Sequence, residues 1–193
     1  IWKKARNETR NHYLADRVRG NTKELSSNTT DAEDTSSTYT TFSTDGWSMG
    51  ATSAFNKSGI NYAAWNWKAN GSGSSNTNGS INSTVSANTD AGFSIIKYHG
   101  TGANATVGHG LSKAPELVIC KDREAANGWG VGQFQLSNTQ ALYLDLNIAY
   151  DTNNYWNSTS PSSTVISLGV SGATNANNEM IAYAFHSVDG YSK

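Results

Sequence analysis

The chain has 193 residues, which is enough for one large domain or two small ones, and its six Trp, nine Tyr and five Phe can fill a core. Charged residues make up only 15% of the sequence and the formal net charge is −1, which excludes a general electrostatic attraction to nucleic acid or to an anionic membrane. Ser, Thr, Asn and Gly are abundant, and this composition favours many short strands joined by turns, so we predict an all-β fold.

Neither a disulfide framework nor a membrane span is expected. Cys120 is the single cysteine, and no apolar run approaches the roughly 18 residues of a transmembrane helix. The chain begins at Ile1 without a Met or a signal peptide, which predicts a fragment of a longer protein. The sequence indicates no cofactor, no nucleic acid partner and no membrane insertion.

Strand signals are sparse in the first half of the chain. Trp65 and Trp67 alternate along an apolar segment, so we expect both rings in a core. Residues 70–91 follow, beginning Gly71-Ser72-Gly73, and are almost free of large apolar side chains. This composition predicts a flexible linker or an extended surface excursion.

The second half carries most of the strand signals. In chain order, strands are predicted at 93–98, 105–111, 117–121, 129–136, 142–146, 165–169 and 180–185. The run Leu117-Val118-Ile119-Cys120 predicts a central strand covered on both faces, whereas 142–146 is also compatible with a short helix. In the last strand, Ile181, Tyr183 and Phe185 are expected on one face and small alanines on the other.

The two halves show weak self-similarity. The segment Ile1–Arg6 aligns with Val118–Arg123, and further matches follow in the same order. They include Leu25 with Leu142, Asp34 with Asp151, Met49-Gly50 with Leu168-Gly169, Asn56 with Asn175, and Ala64-Trp65 with Ala182-Tyr183. Because the order and the offset are nearly constant, we predict an internal repeat.

A second recurrence sets the predicted boundaries. Gly92-Phe93-Ser94 recurs as Gly190-Tyr191-Ser192. The hypothesis is therefore an N-terminally truncated β-sandwich unit in 1–69, a linker in 70–91, a complete unit in 92–189 and the start of a third in 190–193. Each unit is expected to be an antiparallel sandwich of jelly-roll or lectin-like type.

Several stretches resemble a repeat family of bacteriophage structural and tail-fibre-like proteins, particularly those of marine phages. The matching stretches are Gly92–Tyr98, Ala105–Leu111 with Ala114-Pro115, Arg17–Gly20 with Asn28–Glu33, Tyr62–Ala69 and Gly190–Lys193. The resemblance implies a virion-associated, lectin-like β-sandwich and carries no catalytic motif. It leaves open whether the protein binds host glycans or is a passive spacer.

Aromatic residues in polar loops are the predicted ligand-binding residues. Tyr155, Trp156 and Asn157 lie within a run of Asn, Ser and Thr, and Trp129 follows Asn127-Gly128. An indole ring beside amides and hydroxyls can stack on a sugar face while its neighbours bind the sugar hydroxyls. The alternative interpretation is that both tryptophans close the ends of the sandwich.

No catalytic or metal-binding residues are predicted. The four histidines lack zinc-ligand spacing, and His109 before Gly110 is typical of a turn. Asp31, Glu33 and Asp34 suit either a solvated loop or a calcium site, with the former favoured. Ser and Thr are so frequent that a Ser/His/Asp trio is uninformative, and no Gly-x-Ser-x-Gly elbow occurs.

These observations predict a non-enzymatic bacteriophage virion protein, tail-fibre-like or part of a surface appendage on the particle. Its expected partners are copies of itself, other virion proteins and a host-surface glycan. One alternative is a structural spacer or decoration domain that contacts only virion chains. The other is a segment of a polysaccharide depolymerase.

Overall fold

The computed structural model describes residues 1–192, which form short strands and one helical turn. In chain order the strands are β1 (Trp2–Ala5), β2 (Tyr13–Leu14), β3 (Lys23–Ser26), β4 (Asp34–Thr35), β5 (Thr41–Phe42), β6 (Trp47–Ser48), β7 (Tyr62–Trp65), β8 (Ser74–Asn76), β9 (Ser83–Asn88), β10 (Phe93–His99), β11 (Ala105–Gly108), β12 (Leu117–Asp122), β13 (Gly130–Gln133), β14 (Gln140–Tyr143), β15 (Asp151–Thr152), β16 (Val165–Leu168) and β17 (Glu179–Phe185). The turn α1 (Gly172–Asn175) precedes β17. The all-β prediction is confirmed.

Two antiparallel sheets dominate the architecture. The first has five strands in the order β4-β3-β2-β1-β7, and the second has eight in the order β15-β14-β13-β12-β17-β10-β9-β8. The β5–β6 hairpin and the antiparallel pair β11–β16, whose strands are distant in the chain, form two small additional sheets. In the large sheet, β17 lies between β10 and β12 and pairs with both over its length, so it is the central strand of the core.

The eight-stranded sheet is covered on both faces, as the alternation along β17 requires. Ile181 and Tyr183 belong to a core cluster that includes Leu14 and Leu25 of the five-stranded sheet. Met180, Ala182 and Ala184 belong to a second cluster, formed with β11, β16 and α1 on the opposite face. The fold is therefore sandwich-like, with the two larger sheets packed face to face. The predicted central position of β12 is also confirmed, since Val118 and Cys120 are buried between β13 and β17.

The prediction of a flexible linker at 70–91 is wrong. β8 and β9 lie within this segment, and β9 pairs with β10 over six residues. Its polar side chains are compatible with burial because they bond nearby backbone. Ser86 Oγ donates to Gly71 O at 2.9 Å and accepts from Asn70 N at 2.8 Å. Residues 70–91 thus complete one edge of the large sheet.

Polar contacts connect residues 1–69 to the large sheet. Arg123 Nη2 donates to Glu33 Oε1 at 2.8 Å, and the hydroxyl of Tyr183 donates to Asp16 Oδ2 at 2.7 Å. Burial alone would raise the pKa of Glu33, but hydrogen bonds and charge from Arg123, Arg19 and Lys23 lower it to about 2. The first 69 residues and the large sheet therefore pack against each other through charged and apolar contacts.

Two further predictions of local structure are corrected or qualified. The strand expected over 142–146 stops at Tyr143, so Leu144 lies beyond β14 and Leu146 is exposed. Trp65 and Trp67, expected in a core, are 51% and 40% exposed. Within residues 1–192, no helix is long and apolar enough to cross a membrane.

Candidate functional site

The four residues predicted to bind a glycan do not form a surface site. Trp129 and Trp156 are fully buried and Tyr155 is 5% exposed, so none of the three rings is available for stacking on a sugar. Asn157 is exposed, but it has a left-handed backbone with φ 50° in a turn where Thr159 Oγ1 donates to its carbonyl. The binding prediction is therefore wrong for the three aromatic residues, and Asn157 remains without an adjacent aromatic platform.

Glycines on β13 explain why Tyr155 and Trp156 are buried. A side chain at Gly132 would come within 2.6 Å of the Trp156 ring, and one at Gly130 within 3.2 Å of the Tyr155 ring. Two glycines spaced by two residues thus open one face of the strand to both aromatic rings. The Gly130-Val131-Gly132 pattern is the sequence signal that marks these rings as core residues.

Trp129 has a different structural role. Its indole Nε1 donates to Ser26 O at 3.0 Å and to Thr29 O at 3.2 Å, both in the first part of the chain. Its backbone N–H donates to Asp145 Oδ1 at 2.9 Å. Trp129 therefore links the large sheet to the end of β3, and its buried indole N–H is satisfied by backbone carbonyls, as burial requires.

A cavity with a volume of ≈ 810 Å³ is lined by residues of both large sheets. Its apolar floor belongs to the large sheet and its edge; the residues are Phe93, Ile95, Leu117, Ile119, Leu144, Tyr183 and Phe185. Trp2 and Leu14 line it from the five-stranded sheet. A volume of about 300–1,000 Å³ and a mainly apolar lining are typical of small-ligand sites.

The mouth of the cavity is formed by the β5–β6 hairpin and by the segment after β7. Phe42 and Trp47 reach it from the hairpin, and Asn66 and Trp67 from the segment. Trp47 Nε1 donates to Asn66 Oδ1 at 3.0 Å, which connects the two sides. The Trp67 ring packs on Phe93 and Phe185 at centroid distances of 6.3 and 6.1 Å. Two partly exposed indoles are therefore held beside an amide.

Charged groups at the cavity are of two kinds. At the base of the cavity, Asp16 Oδ2 accepts a hydrogen bond from Arg19 Nε at 2.5 Å. Burial alone would raise the pKa of Asp16, but the Arg19 guanidinium lowers it below its usual range. Burial also raises the pKa of Tyr183, which therefore remains a neutral donor to Asp16. Asp16, Arg19 and Tyr183 therefore form a buried hydrogen-bonded network at the base of the cavity.

Exposed polar side chains surround the mouth instead. Arg17 Nη1 donates to Ser43 O at 2.6 Å and so holds the β5–β6 hairpin near the sheet. Asp45 in the hairpin and Lys68 after Trp67 are both exposed. The cavity therefore has an apolar interior and a rim that offers a carboxylate, an ammonium and an amide to a ligand.

The sequence reasoning missed this site because its residues come from distant parts of the chain. Trp47, Trp67 and Ile119 are brought together only by the packing of the two sheets. One local signal was present. Trp65-Asn66-Trp67 puts two indoles two residues apart with an amide between them, next to the Gly/Ser-rich stretch that begins at Gly71.

In the acidic cluster predicted for a solvated loop or calcium, Asp31 and Asp34 are exposed, as the favoured solvated loop requires, whereas Glu33 is partly buried. Glu33 accepts hydrogen bonds from Arg19, Arg123 and Lys23, so its oxygens are engaged by cations of the protein itself. Among residues 1–192, no group of three His, Cys, Asp or Glu side chains converges in a way that could hold a metal ion. Cys120 is buried, and burial raises the pKa of its thiol to about 12.

Comparison with known proteins identifies a family. No curated protein matches the chain, and no solved structure does so. A family model described as "Domain of unknown function (DUF7483)" matches residues 1–193. Because this match covers the whole sequence, the chain belongs to the DUF7483 family.

Proposed function

We propose that this protein is a non-catalytic carbohydrate-binding module of a bacteriophage surface appendage, and that the sugar chain binds at the mouth of the cavity between the sheets. The observation that carries the proposal is the pair of partly exposed indoles, Trp47 and Trp67, beside the Asn66 amide. The proposal moves the expected glycan contact away from Trp129 and Trp156, which are buried.

The chemistry of the mouth suits a sugar better than a purely apolar ligand. A pyranose has an apolar face, which can stack on an indole, and a rim of hydroxyls, which need hydrogen-bond partners. Asn66, Asp45 and Lys68 provide such partners around the rings. The apolar floor, which includes Ile95 and Ile119, would then exclude water from the stacked face.

The virion context is supported by the resemblance of Gly92–Tyr98 and Ala105–Leu111 to phage structural and tail-fibre-like repeats. A protein on the surface of a phage particle meets host polysaccharide first. In that context a shallow aromatic site would serve attachment. The expected partners are then a host-surface glycan and neighbouring chains of the particle.

A second candidate function is a spacer or decoration domain that contacts only virion chains. The observation that favours it is a set of exposed apolar side chains in one extended loop, namely Leu146, Ile148 and Tyr150 at 49%, 60% and 58% exposure. Apolar residues exposed together often mark a protein contact surface. This function needs no ligand in the cavity.

Glycan-array binding followed by titration of the strongest ligand tests the two functions. We expect Trp47→Ala to weaken binding by at least about tenfold, because it removes one stacking ring and the bond to Asn66. Tyr150→Ala, which removes an exposed aromatic ring of the loop, is the matched control and should bind as the parent does.

Two outcomes would contradict the proposal. One is a glycan that binds Trp47→Ala and the parent equally. The other is an array without signal combined with self-association that Tyr150→Ala weakens, which would favour the spacer. Thermal unfolding of each variant checks that a loss of binding is not a loss of fold.

A further inference from the structure

The five-stranded sheet and part of the large sheet have the same strand order. β4-β3-β2-β1-β7 corresponds to β15-β14-β13-β12-β17. The registers agree as well, since Trp2 pairs with Trp65 as Ile119 pairs with Tyr183. Leu14 likewise pairs with Leu25 as Val131 pairs with Leu142.

Hydrogen bonds outside the sheets agree in the same way. Asn56 Nδ2 donates to Gly50 O at 3.0 Å, and Asn175 Nδ2 donates to Gly169 O at 3.0 Å. In each case the backbone N–H of the asparagine also closes a helical turn. Asn56 N donates to Thr52 O at 3.1 Å, and Asn175 N donates to Ser171 O at 2.8 Å. The two regions are therefore equivalent beyond their strand order.

The equivalence ends at the outer edge of β7, where the five-stranded sheet has no described strand in the place that β10 takes beside β17. In the large sheet, β17 is covered on its far side by β10. β7 is the last strand of its sheet, and no described strand pairs with its far side. The consequence is visible in exposure, because Trp65 is 51% exposed whereas the equivalent Tyr183 is 5% exposed.

The backbone of β7 has free hydrogen-bonding groups at this edge. Arg6 N donates to Asn61 O at 2.8 Å, just as Arg123 N donates to Glu179 O at 2.9 Å. Since peptide groups alternate in direction along a strand, Tyr62 and Ala64 direct their N–H and C=O groups away from β1. Among the described residues, the Ala64 carbonyl accepts only from a local side chain, Asn66 Nδ2, at 3.3 Å.

We propose that the free edge of β7 is an acceptor site for an added antiparallel β-strand with the sequence character of residues 92–98. In the large sheet Phe93 lies opposite Phe185 and Ile95 lies opposite Tyr183. By equivalence, the added strand carries an aromatic residue opposite Trp67 and a branched aliphatic residue opposite Trp65. Its backbone pairs with the outward groups of Tyr62 and Ala64, a mode known as β-augmentation.

The required partner is thus defined by its chemistry, as an extended Gly-aromatic-Ser-aliphatic-aliphatic-basic-aromatic segment. Cross-strand contacts with the added residues would cover Trp65, as β10 covers Tyr183. They would also close an edge that otherwise exposes unpaired backbone groups. This assembly role rests on the backbone edge of β7 and shares only Trp67 with the proposed glycan site, which uses the rings of Trp47 and Trp67.

A fluorescein-labelled peptide of residues 90–100 tests the proposal with the full chain, by fluorescence anisotropy. We expect saturable binding to the parent. Ala64→Pro removes an outward N–H while leaving the pairing of β7 with β1, so it should weaken binding by at least about tenfold. Unfolding midpoints of the parent and the variant establish that both are folded.

Two methylated peptides make the test independent of any protein variant. In β10, Ile96 lies opposite Ala182 and, by the same alternation, directs its N–H toward β17. A peptide N-methylated at Ile96 should bind at least about tenfold more weakly, whereas one methylated at Lys97 should bind as the parent peptide does. Absence of binding, or equal binding of both methylated peptides, would overturn the proposal.

Discussion

Equivalent positions in the two sheets have opposite chemistry. Lys3 is equivalent to Cys120, because Lys3 pairs with Tyr13 as Cys120 pairs with Gly130. Glu24 is equivalent to Ala141, because Glu24 pairs with Asp34 as Ala141 pairs with Asp151. In the five-stranded sheet these positions hold a buried ion pair, with Lys3 Nζ 2.6 Å from Glu24 Oε1 and 3.9 Å from the centre of the Phe55 ring. In the large sheet they hold a thiol and a methyl group, both fully buried.

The aromatic residues show the same contrast. Gly50 N donates to Thr38 O, just as Gly169 N donates to Tyr155 O. Thr38 and Tyr155 are therefore equivalent, and so are the residues that follow them in the chain, Tyr39 and Trp156. Trp156 is fully buried, whereas Tyr39 is partly exposed and bonds Asp34 through its hydroxyl. The comparison teaches that one topology accommodates an apolar core or a charged one, and that the Tyr39 ring in the charged version is more exposed than the equivalent Trp156 ring.

The largest expected effect tests the buried aromatic position. We expect Trp156→Ala to lower the free energy of unfolding by about 4 kcal/mol, because it leaves a cavity against Gly132 and Phe134. Urea denaturation followed by fluorescence or circular dichroism measures this loss.

The matched control is the equivalent Tyr39→Ala, for which we expect a loss of about 1–2 kcal/mol because the ring is already partly exposed. Trp156→Phe should cost less than Trp156→Ala, since Trp156 Nε1 has no hydrogen-bond partner among the described residues. Equal losses in Trp156→Ala and Tyr39→Ala would break the comparison.

The buried Lys3–Glu24 pair should lose more unfolding free energy when one partner is replaced than when both are replaced together. We expect Glu24→Ala to cost about 3 kcal/mol, because it leaves the buried Lys3 ammonium without its carboxylate. Replacing both residues together, as Lys3→Met with Glu24→Met, should cost much less, since an apolar pair of similar volume needs no charge compensation.

Denaturant unfolding of Lys3→Met, Glu24→Met and the double variant that combines them forms a double-mutant cycle for this pair. Cys120→Ala provides the reference for a small buried truncation in the large sheet. Additive losses in the cycle would mean that Lys3 and Glu24 act independently, contrary to the geometry.

How much the sequence predicted depends on how local the signal is. β10, β12 and β17 were predicted because each is an apolar run whose burial follows from its own residues. β8 and β9 were missed because Ser and Thr at a sheet edge have the composition of a linker, and only the pairing of β9 with β10 and of β8 with β9 distinguishes them.

The candidate site was beyond sequence reasoning for a related reason. Loop composition pointed to Trp129 and Trp156, but the glycines of β13 and the carbonyls of Ser26 and Thr29 give both rings buried positions. The cavity itself is lined by residues of both large sheets, so it depends on contacts between residues far apart in the chain. Single-residue patterns do not encode such a contact.

The smallest expected effect concerns the contact that joins the two sheets and depends on pH. The Glu33 carboxylate has its pKa lowered from 4.5 to about 2 by Arg123 and Arg19, so it binds protons more weakly in the folded than in the unfolded chain. Its contribution is therefore fully present above about pH 4.5 and is lost as the pH falls through about 2. We expect this loss to reach about 2 kcal/mol, and urea midpoints between pH 6 and pH 2 measure it.

Glu33→Gln isolates the effect, because the amide keeps the size of the side chain but does not titrate in this range. The parent should lose more stability than Glu33→Gln between about pH 4.5 and pH 2, and Glu124→Gln, at an exposed position, should follow the parent. Parallel curves for the parent and Glu33→Gln would mean that the arginines on the two sides of the interface do not depend on this carboxylate. The equivalence of the sheets would then stand, but their packing would rest on the apolar cluster that includes Leu14, Leu25 and Tyr183 and on the hydrogen bonds of Tyr183 and Trp129 to the first part of the chain.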